Sequence, residues 1–184
     1  MIETTQVEKV KQFNLKYVKD NLNEYEKVVI VALNDWHTPQ LRNVMAYTDK
    51  VNPNACINDH KTTFLHYASG KQDSMNEKSI GPINILIEAG ADIFALDSEG
   101  LTPYQYAKIK NNTVNQALLK KQYMYLKAKY ENASSVLNAL QEGKYVLQGQ
   151  DNNENKRVLS LVEYNHYVKT KEEFEKNNKK WNGT

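Results

Sequence analysis

The sequence predicts a protein built almost entirely of helices. Glycine and proline are scarce, with 7 and 4 residues among 184, so the regular elements are expected to be long. Apolar residues recur three or four positions apart, as at Val7 and Val10, while strict alternation over six or more residues is hard to find. Residues 28–33 are β-branched enough for a strand, but the sequence offers no second strand candidate to pair with them. A helix is therefore predicted there as well.

Capping residues and breakers place the elements of the first part of the chain. Thr38 and Thr102 are predicted N-caps, because each precedes a proline that suits the first helical position. Gly90 is expected to close a helix, since glycine readily adopts the left-handed conformation. A polar loop is predicted over residues 70–79 and a turn over residues 97–100. The predicted helices cover residues 5–22, 24–35, 39–47, 63–69, 82–89 and 103–110.

The chain after Gln122 contains no proline, and a helix that opens at Val114 continues well into it. We predict breaks near Asn132, within residues 143–155 and near Asn177, because polar and turn-forming residues gather there. These breaks would divide the last third of the chain into about three helices.

Composition excludes several classes of function. Lys and Arg total 24 against 22 for Asp and Glu, so the chain lacks the excess charge with which proteins bind nucleic acid. The longest aliphatic run, residues 28–33, is far shorter than the roughly 20 residues that span a bilayer. The N-terminus has no basic and apolar signal pattern, and the one cysteine, Cys56, permits no internal disulfide. We expect a cytoplasmic protein that binds neither membranes nor nucleic acid.

The sequence carries few candidates for catalysis. Cys56 and His60 are four positions apart and are the best candidates for a nucleophile and its base. The alternative, which is the more common case, is that Cys56 is simply a small structural residue in a turn. The four histidines and one cysteine show no zinc spacing, and no glycine-rich phosphate loop is present. The adjacent carboxylates of Glu172 and Glu173 fit a solvated helix face. We therefore predict that the protein is not an enzyme and has no metal or cofactor.

Two segments about 39 residues apart have related sequences, and the later one runs from Asp97 to Ala107. It resembles the start of an ankyrin repeat, with the Asp, Gly, Thr-Pro and Ala of that family in matching places. The earlier one contains Thr63-Phe64-Leu65-His66-Tyr67-Ala68, which is close to the Thr-Pro-Leu-His-x-Ala of the family. Between the two, residues 85–93 look like the end of an outer helix and the hairpin that follows it.

The chain departs from the ankyrin pattern in three respects. Its repeat exceeds the usual 33 or so residues by about six, and residues 70–79 are the expected insertion. Lys61 stands where the family has glycine and Gln105 where it has histidine, which is expected to weaken the turn and the hydrogen bond. His66 is at the histidine position of its repeat, so the resemblance implies a structural role for its ring.

The fold that the resemblance implies is an all-α ankyrin solenoid of two clear repeats and one degenerate repeat. The degenerate repeat would comprise residues 28–55, behind a helical N-terminal cap over residues 5–22. Residues 1–121 would then form one domain, and residues 122–184 a helical extension or cap.

Recognition of another protein is the function that the resemblance implies, because ankyrin stacks bind through turn tips and inner helices. For Leu101 and Ile109, packing on the next repeat is the alternative to partner contact. The predicted partner-binding residues of the stack are His60, Lys61, Thr62, Gly70, Lys71, Ser98, Glu99, Leu101, Ile109 and Lys110. An adaptor or stoichiometric inhibitor is expected. The Asn, Lys, Ile and Tyr bias is typical of AT-rich microbial or viral genomes, which favours an effector, a toxin-neutralising protein or a blocker of host defence.

Aromatic residues recur after Gln122, among them Tyr164, Tyr167 and Trp181. Tyr and Trp are common at interface hot spots, so these three are added to the predicted partner-binding residues. For these three residues, packing on the repeats as part of a cap is an alternative of equal weight to partner contact. The second functional hypothesis is an enzyme or ligand-binding protein whose site lies in residues 122–184, near Glu163 and His166.

Overall fold

The computed structural model describes residues 22–47, 49–71, 80–149 and 156–181. These residues are mostly helical, as the sequence predicts. In chain order the elements are α1 Glu24–Asn34, α2 Thr38–Met45, α3 Phe64–Gly70, α4 Ile80–Glu88, α5 Pro103–Ile109, α6 Thr113–Gln141, β1 Tyr145–Leu147, β2 Arg157–Leu159 and α7 Leu161–Trp181. The predicted helix over residues 5–22 lies almost wholly outside the described residues, as does most of the predicted loop over residues 70–79.

The apolar run over residues 28–33 lies in helix α1, which confirms the helical prediction. Val29, Ala32 and Leu33 of this run are buried, because helical spacing brings them to one side of α1. The capping residue of α2 differs from the prediction, since Thr38 is already helical and His37 takes the cap position. The ring Nδ1 of His37 accepts a hydrogen bond from the Gln40 amide at 3.1 Å.

The predicted breaks near Asn132 and Asn177 are wrong. Helix α6 is continuous over 29 residues and α7 over 21. Asparagine costs only about 0.7 kcal/mol in a helix interior, and packing readily outweighs so small a penalty. Ala133 and Phe174 are buried beside the two asparagines and supply that packing. The break after Gln141 is confirmed, because Gly143 has a φ of 71° and ends the helix.

Two compact units make up the described chain. The first contains the residues up to Lys121 together with Lys180 and Trp181. In this unit α1 pairs with α2 and α3 with α4, while α3 contacts both α1 and α5 and α4 contacts α2. Its largest fully buried apolar side chains are Leu33, Leu41, Ile57, Phe64, Leu65, Ile83, Leu86, Leu101 and Leu119.

Two tight turns of the first unit share one construction. In the turn before α3, the Lys61 amide donates to the Asn58 carbonyl at 3.2 Å. In the turn before α5, the Gly100 amide donates to the Asp97 carbonyl at 3.1 Å. Each turn needs one residue in the left-handed region, and these are Lys61 at φ 57° and Gly100 at φ 75°.

The second unit, Gln122–Lys179, contains the later part of α6, the two strands and most of α7. The two helices run antiparallel, since the Tyr123 hydroxyl donates to Asn178 at 2.8 Å and the Tyr130 and Phe174 rings stack at 4.8 Å. Strands β1 and β2 pair in parallel with Val146 opposite Val158. The sequence did not predict this pair, because three residues are too short for an alternating pattern.

Lys61→Gly is expected to stabilise the protein, because a side chain costs free energy in the left-handed conformation and glycine does not. We expect the free energy of unfolding in urea to rise by about 0.5–1 kcal/mol. The reciprocal variant Gly100→Lys is the matched control and is expected to lose a similar amount. Nothing lies within 4 Å of a Cβ built at Gly100, so its cost comes from the backbone alone. A Lys61→Gly variant no more stable than the parent would contradict this account.

Candidate functional site

The two turns place four of the predicted partner-binding residues side by side. His60, Lys61 and Ser98 are exposed and Glu99 is half-buried. The Ser98 amide donates to the His60 carbonyl at 2.8 Å, which joins the tip of one turn to the tip of the next. We call these four residues the turn-tip surface. Their backbone is held by hydrogen bonds.

Three other predicted partner-binding residues are buried, so the structure corrects their assignment to an exposed surface. Thr62 lies with its hydroxyl 3.5 Å from that of Tyr106. Leu101 forms an apolar cluster with Tyr106. It therefore packs inside the protein, which was the alternative to partner contact. Gly70 is buried against the same ring, and a Cβ there would lie 3.2 Å from the Tyr106 Cδ1 atom. All three residues support Tyr106 or pack on it.

The residues predicted at the ends of the inner helices are half-buried. The Lys71 ammonium donates to the Leu33 carbonyl at 3.0 Å and to the Asn34 carbonyl, and it lies 4.8 Å from the centroid of the Trp36 ring. This lysine therefore neutralises the negative C-terminal end of α1. Ile109 packs against the cluster of Leu101 and Tyr106, and Lys110 is half-buried at the end of α5.

The ring of His66 lies fully buried behind the turn-tip surface. Its Nε2 atom is 2.9 Å from the Leu101 carbonyl oxygen, and its Nδ1 atom is 2.8 Å from Thr63 Oγ1 and 3.2 Å from the Thr63 amide. A carbonyl can only accept, so Nε2 carries the proton and Nδ1 accepts from Thr63. With the ring neutral, each of these hydrogen-bonding groups therefore has a matching donor or acceptor. Burial lowers the pKa of His66 despite opposing contributions from the Leu101 carbonyl and the Asp97 carboxylate.

Asp97 organises the second turn. Its Oδ1 atom accepts from the Glu99 amide at 2.9 Å and the Leu101 amide at 2.8 Å, while Oδ2 accepts from the Tyr106 hydroxyl at 2.7 Å. Burial and the carboxylate charge both raise the pKa of Tyr106, so its hydroxyl keeps the proton that it donates. Asn58 has the matching role in the first turn, where its side chain accepts from the Thr62 amide at 3.1 Å.

Gln105 replaces the expected histidine without loss of the cap. Its Oε1 atom accepts from the Thr102 amide at 2.6 Å and from the Thr102 hydroxyl at 3.1 Å. The Gln105 amide donates to Thr102 Oγ1 at 3.3 Å, which completes a capping box like that of Thr63 and His66. The hydrogen bonds of this cap are therefore all formed with glutamine in place of histidine.

The aromatic residues predicted in the tail lie in different surroundings. Trp181 packs within the first unit, with its ring centroid 4.7 Å from that of Tyr104 and 6.1 Å from that of Phe94. Tyr164 and Tyr167 are half-buried in the second unit. Packing thus accounts for much of the Trp181 surface.

A groove of about 340 Å³ lies between α6 and α7 in the second unit. Neither Glu163 nor His166 is part of its wall. The Glu163 carboxylate accepts from the Ser160 amide and hydroxyl at 2.9 and 2.8 Å, and these bonds lower its pKa. Glu163 therefore caps α7. The groove is lined by Leu137, Asn138, Leu140, Gln141, Tyr164, Val168, Lys171, Glu172 and Glu175.

Among the described residues, no three His, Cys, Asp or Glu side chains gather where they could hold a metal ion. The half-buried Cys56 forms an isolated antiparallel bridge with Thr63, beside the start of α3. Within the same described ranges, no helix is both long enough and apolar enough to cross a bilayer.

Comparisons with known proteins assign no family to this chain. No protein-family model matches this chain, and a search of curated proteins found no significant match either.

Acidification is expected to destabilise the protein through His66. Below its ordinary pKa of 6.5 the ring binds a proton in the unfolded chain but not in the folded one, so stability falls with pH until the lowered folded pKa is reached. We expect His66→Gln to reduce the loss measured by urea denaturation between pH 7.5 and 5.5 by about 1 kcal/mol. Glutamine can cap as Gln105 does, although the variant loses the ring contact with Tyr106 and starts less stable.

The control for this experiment is His60→Gln, which removes an exposed histidine and is expected to keep the parent's pH dependence. A His66→Gln variant with the parent's full loss of stability would show that His66 is not the group responsible.

Proposed function

We propose that this chain is an ankyrin-type repeat protein that recognises another protein through its turn-tip surface. The observation that carries the proposal is the equivalence of the two turn-and-helix segments. Each has a polar residue that accepts from the backbone of its own turn, a residue at positive φ, a threonine cap and a capping box. The packing of α3 against both α1 and α5 fits the nearest-neighbour stacking of repeats.

The turn-tip surface suits recognition because hydrogen bonds hold its backbone and three of its four residues, His60, Lys61 and Ser98, are exposed. The hydrogen bond between Ser98 and His60 fixes the spacing of the two tips. A preorganised backbone lowers the entropic cost of binding, so contacts made there contribute more fully to affinity. Lys61 and Glu99 add charges of opposite sign, which favours a partner whose surface also carries both signs.

The alternative is an enzyme or ligand-binding protein with its site in the second unit. Its support is the groove, whose volume lies within the range of small-molecule sites, roughly 300–1,000 Å³. The residues expected to act there do not support catalysis, since Glu163 caps α7 and His166 lies outside the groove wall. We therefore propose a non-enzymatic protein, an adaptor or stoichiometric inhibitor that works in the cytoplasm. The compositional bias of the sequence favours a microbial or viral effector, toxin-neutralising or defence-blocking role.

Charge reversal at the turn-tip surface is expected to weaken partner binding without unfolding the protein. The test first identifies the partner by affinity capture on the immobilised chain, followed by mass spectrometry. The Kd of the purified pair is then measured for the parent and for Lys61→Glu with Glu99→Lys. Because charged contacts at an interface are geometrically specific, we expect at least about a fivefold rise in Kd, with the melting temperature within about 2 °C of the parent.

The matched control reverses two opposite charges in the second unit. Lys169 and Glu173 lie 3.8 Å apart on the exposed side of α7, so Lys169→Glu with Glu173→Lys makes the same change in the second unit. This variant is expected to bind as the parent does. Binding that survives reversal at Lys61 and Glu99 would exclude the turn-tip surface as the recognition site.

A further inference from the structure

The groove between α6 and α7 is an open space beside a small core. Its volume is about 340 Å³. Among the described residues of the second unit, the buried apolar side chains are Ala133, Leu159 and Phe174, and none of them lines the groove. Protein interiors are densely packed, so an unfilled space of this size is a candidate binding site.

The floor of the groove and its rim differ in chemistry. The floor residues are half-buried and apolar or aromatic, whereas the rim residues are exposed and polar. A molecule with an apolar body and one polar end suits such a site, because its body leaves water while its polar end stays at the rim. The floor residues are Leu137, Leu140, Tyr164 and Val168, and the rim residues are Asn138 and Gln141 on α6 and Glu172 and Glu175 on α7.

The charges of the lining favour a cation. Glu172 and Glu175 are three positions apart, so their side chains project from the same side of α7. The other charged residue of the lining is the half-buried Lys171, and among the described residues no ion pair joins it to either carboxylate. Glu175 accepts a hydrogen bond from the Tyr130 hydroxyl at 3.3 Å, which carries no charge. Two carboxylates against one ammonium therefore leave the groove with an excess of negative charge.

The dimensions of the groove favour a small molecule over a helix of another protein. The wall that α6 supplies covers residues 137–141, which corresponds to about 6 Å along the helix axis. A helix with its side chains is about 10–12 Å wide, so it would extend beyond this wall. The volume also lies near the lower end of small-molecule sites, which is roughly 300 Å³.

We propose that the groove binds a small organic cation that has an ammonium group on an apolar chain or ring. The ammonium group has three N–H donors, so it can donate to Glu172 and Glu175 at the same time. The apolar part packs on Leu137, Leu140 and Val168 of the floor. No bond of the ligand is made or broken, so the groove serves for binding and not for catalysis. The site lies within the second unit and does not depend on the turn-tip surface.

The test is a titration of the ¹⁵N-labelled full chain with 2-phenylethylamine, followed by the NMR shifts of the backbone amides. The same ring is tested with a neutral end, as 2-phenylethanol, and with a negative end, as 3-phenylpropionate. We expect the shifts to centre on residues 137–141 and 164–175. An exposed ion pair contributes up to about fivefold in affinity, so the Kd of the amine is expected to be about three- to tenfold lower than that of the alcohol. The carboxylate is expected to bind most weakly.

Two variants assign the effect to the rim. Glu172→Gln with Glu175→Gln keeps the side-chain size and removes both charges, so it is expected to raise the Kd of the amine about three- to tenfold and to leave that of the alcohol unchanged. The matched control is Glu131→Gln with Glu173→Gln, which removes two exposed carboxylates of the same unit from outside the groove. This control is expected to bind the amine as the parent does.

Equal affinity of the parent for the amine, the alcohol and the carboxylate would overturn the proposal, and this comparison needs no variant. An unchanged Kd of the amine in the Glu172 and Glu175 variant would also overturn it. So would the absence of shifts at the lining residues, because the amine would then bind elsewhere or not at all. The Kd for the protein partner is measured separately, so none of these results affects the turn-tip proposal.

Discussion

The first unit depends on the hydrogen bonds of one buried imidazole. The ring of His66 accepts from Thr63 at the start of α3 and donates to the Leu101 carbonyl in the turn before α5. These contacts join the cap of one helix to the turn of the next segment. A buried polar group left without a partner costs about 1–3 kcal/mol, so the ring fixes the spacing of the two segments as well as stabilising each. Asp97 extends the network by binding Tyr106, whose ring lies 4.9 Å from that of His66.

The same network explains why the turn tips are suited to recognition. The groups that fix the turns are turned inward, where Asn58 and Asp97 accept from backbone amides. The exposed residues of the tips, such as His60 and Ser98, meet through their backbone atoms. Their side chains can therefore change without loss of the turn. A surface of this kind separates the residues that determine folding from those available for a partner.

Capping residues and glycines made the helix ends of the first unit predictable from the sequence. Contacts between residues far apart in the chain were not predictable in this way. A threonine followed by proline predicted the start of α5, and Gly90 was correctly expected in the left-handed conformation. The burial of Thr62 depends on Tyr106, which lies on the next segment, so no local pattern indicated it. Leu101 packs on Tyr106 of its own segment, and packing was the alternative that the sequence left open for it. The His37 cap was missed because histidine is an uncommon capping residue.

The tail was less predictable for the same reason. Asn132 and Asn177 were given too much weight as breaks, since side-chain packing decided the course of α6 and α7. Trp181 belongs with Tyr104 and Phe94, which are about 80 residues earlier, and periodicity within a helix cannot indicate such a contact. For the candidate site, the sequence correctly predicted exposed residues at the turn tips. It also assigned to that site residues that are buried in the structure.

Native-state hydrogen exchange tests the central claim most directly, namely that the buried polar network joins the two segments into one cooperative unit. The amides of Thr62 and Leu101 donate to Asn58 and Asp97 in the turns, and those of Tyr67 and Tyr106 donate within the helices. If the claim holds, all four amides exchange with the same free energy of opening, because the turns open only when the helices do. Exchange of Thr62 and Leu101 at a clearly lower free energy than Tyr67 and Tyr106 would show that the turns open independently, and it would contradict the claim.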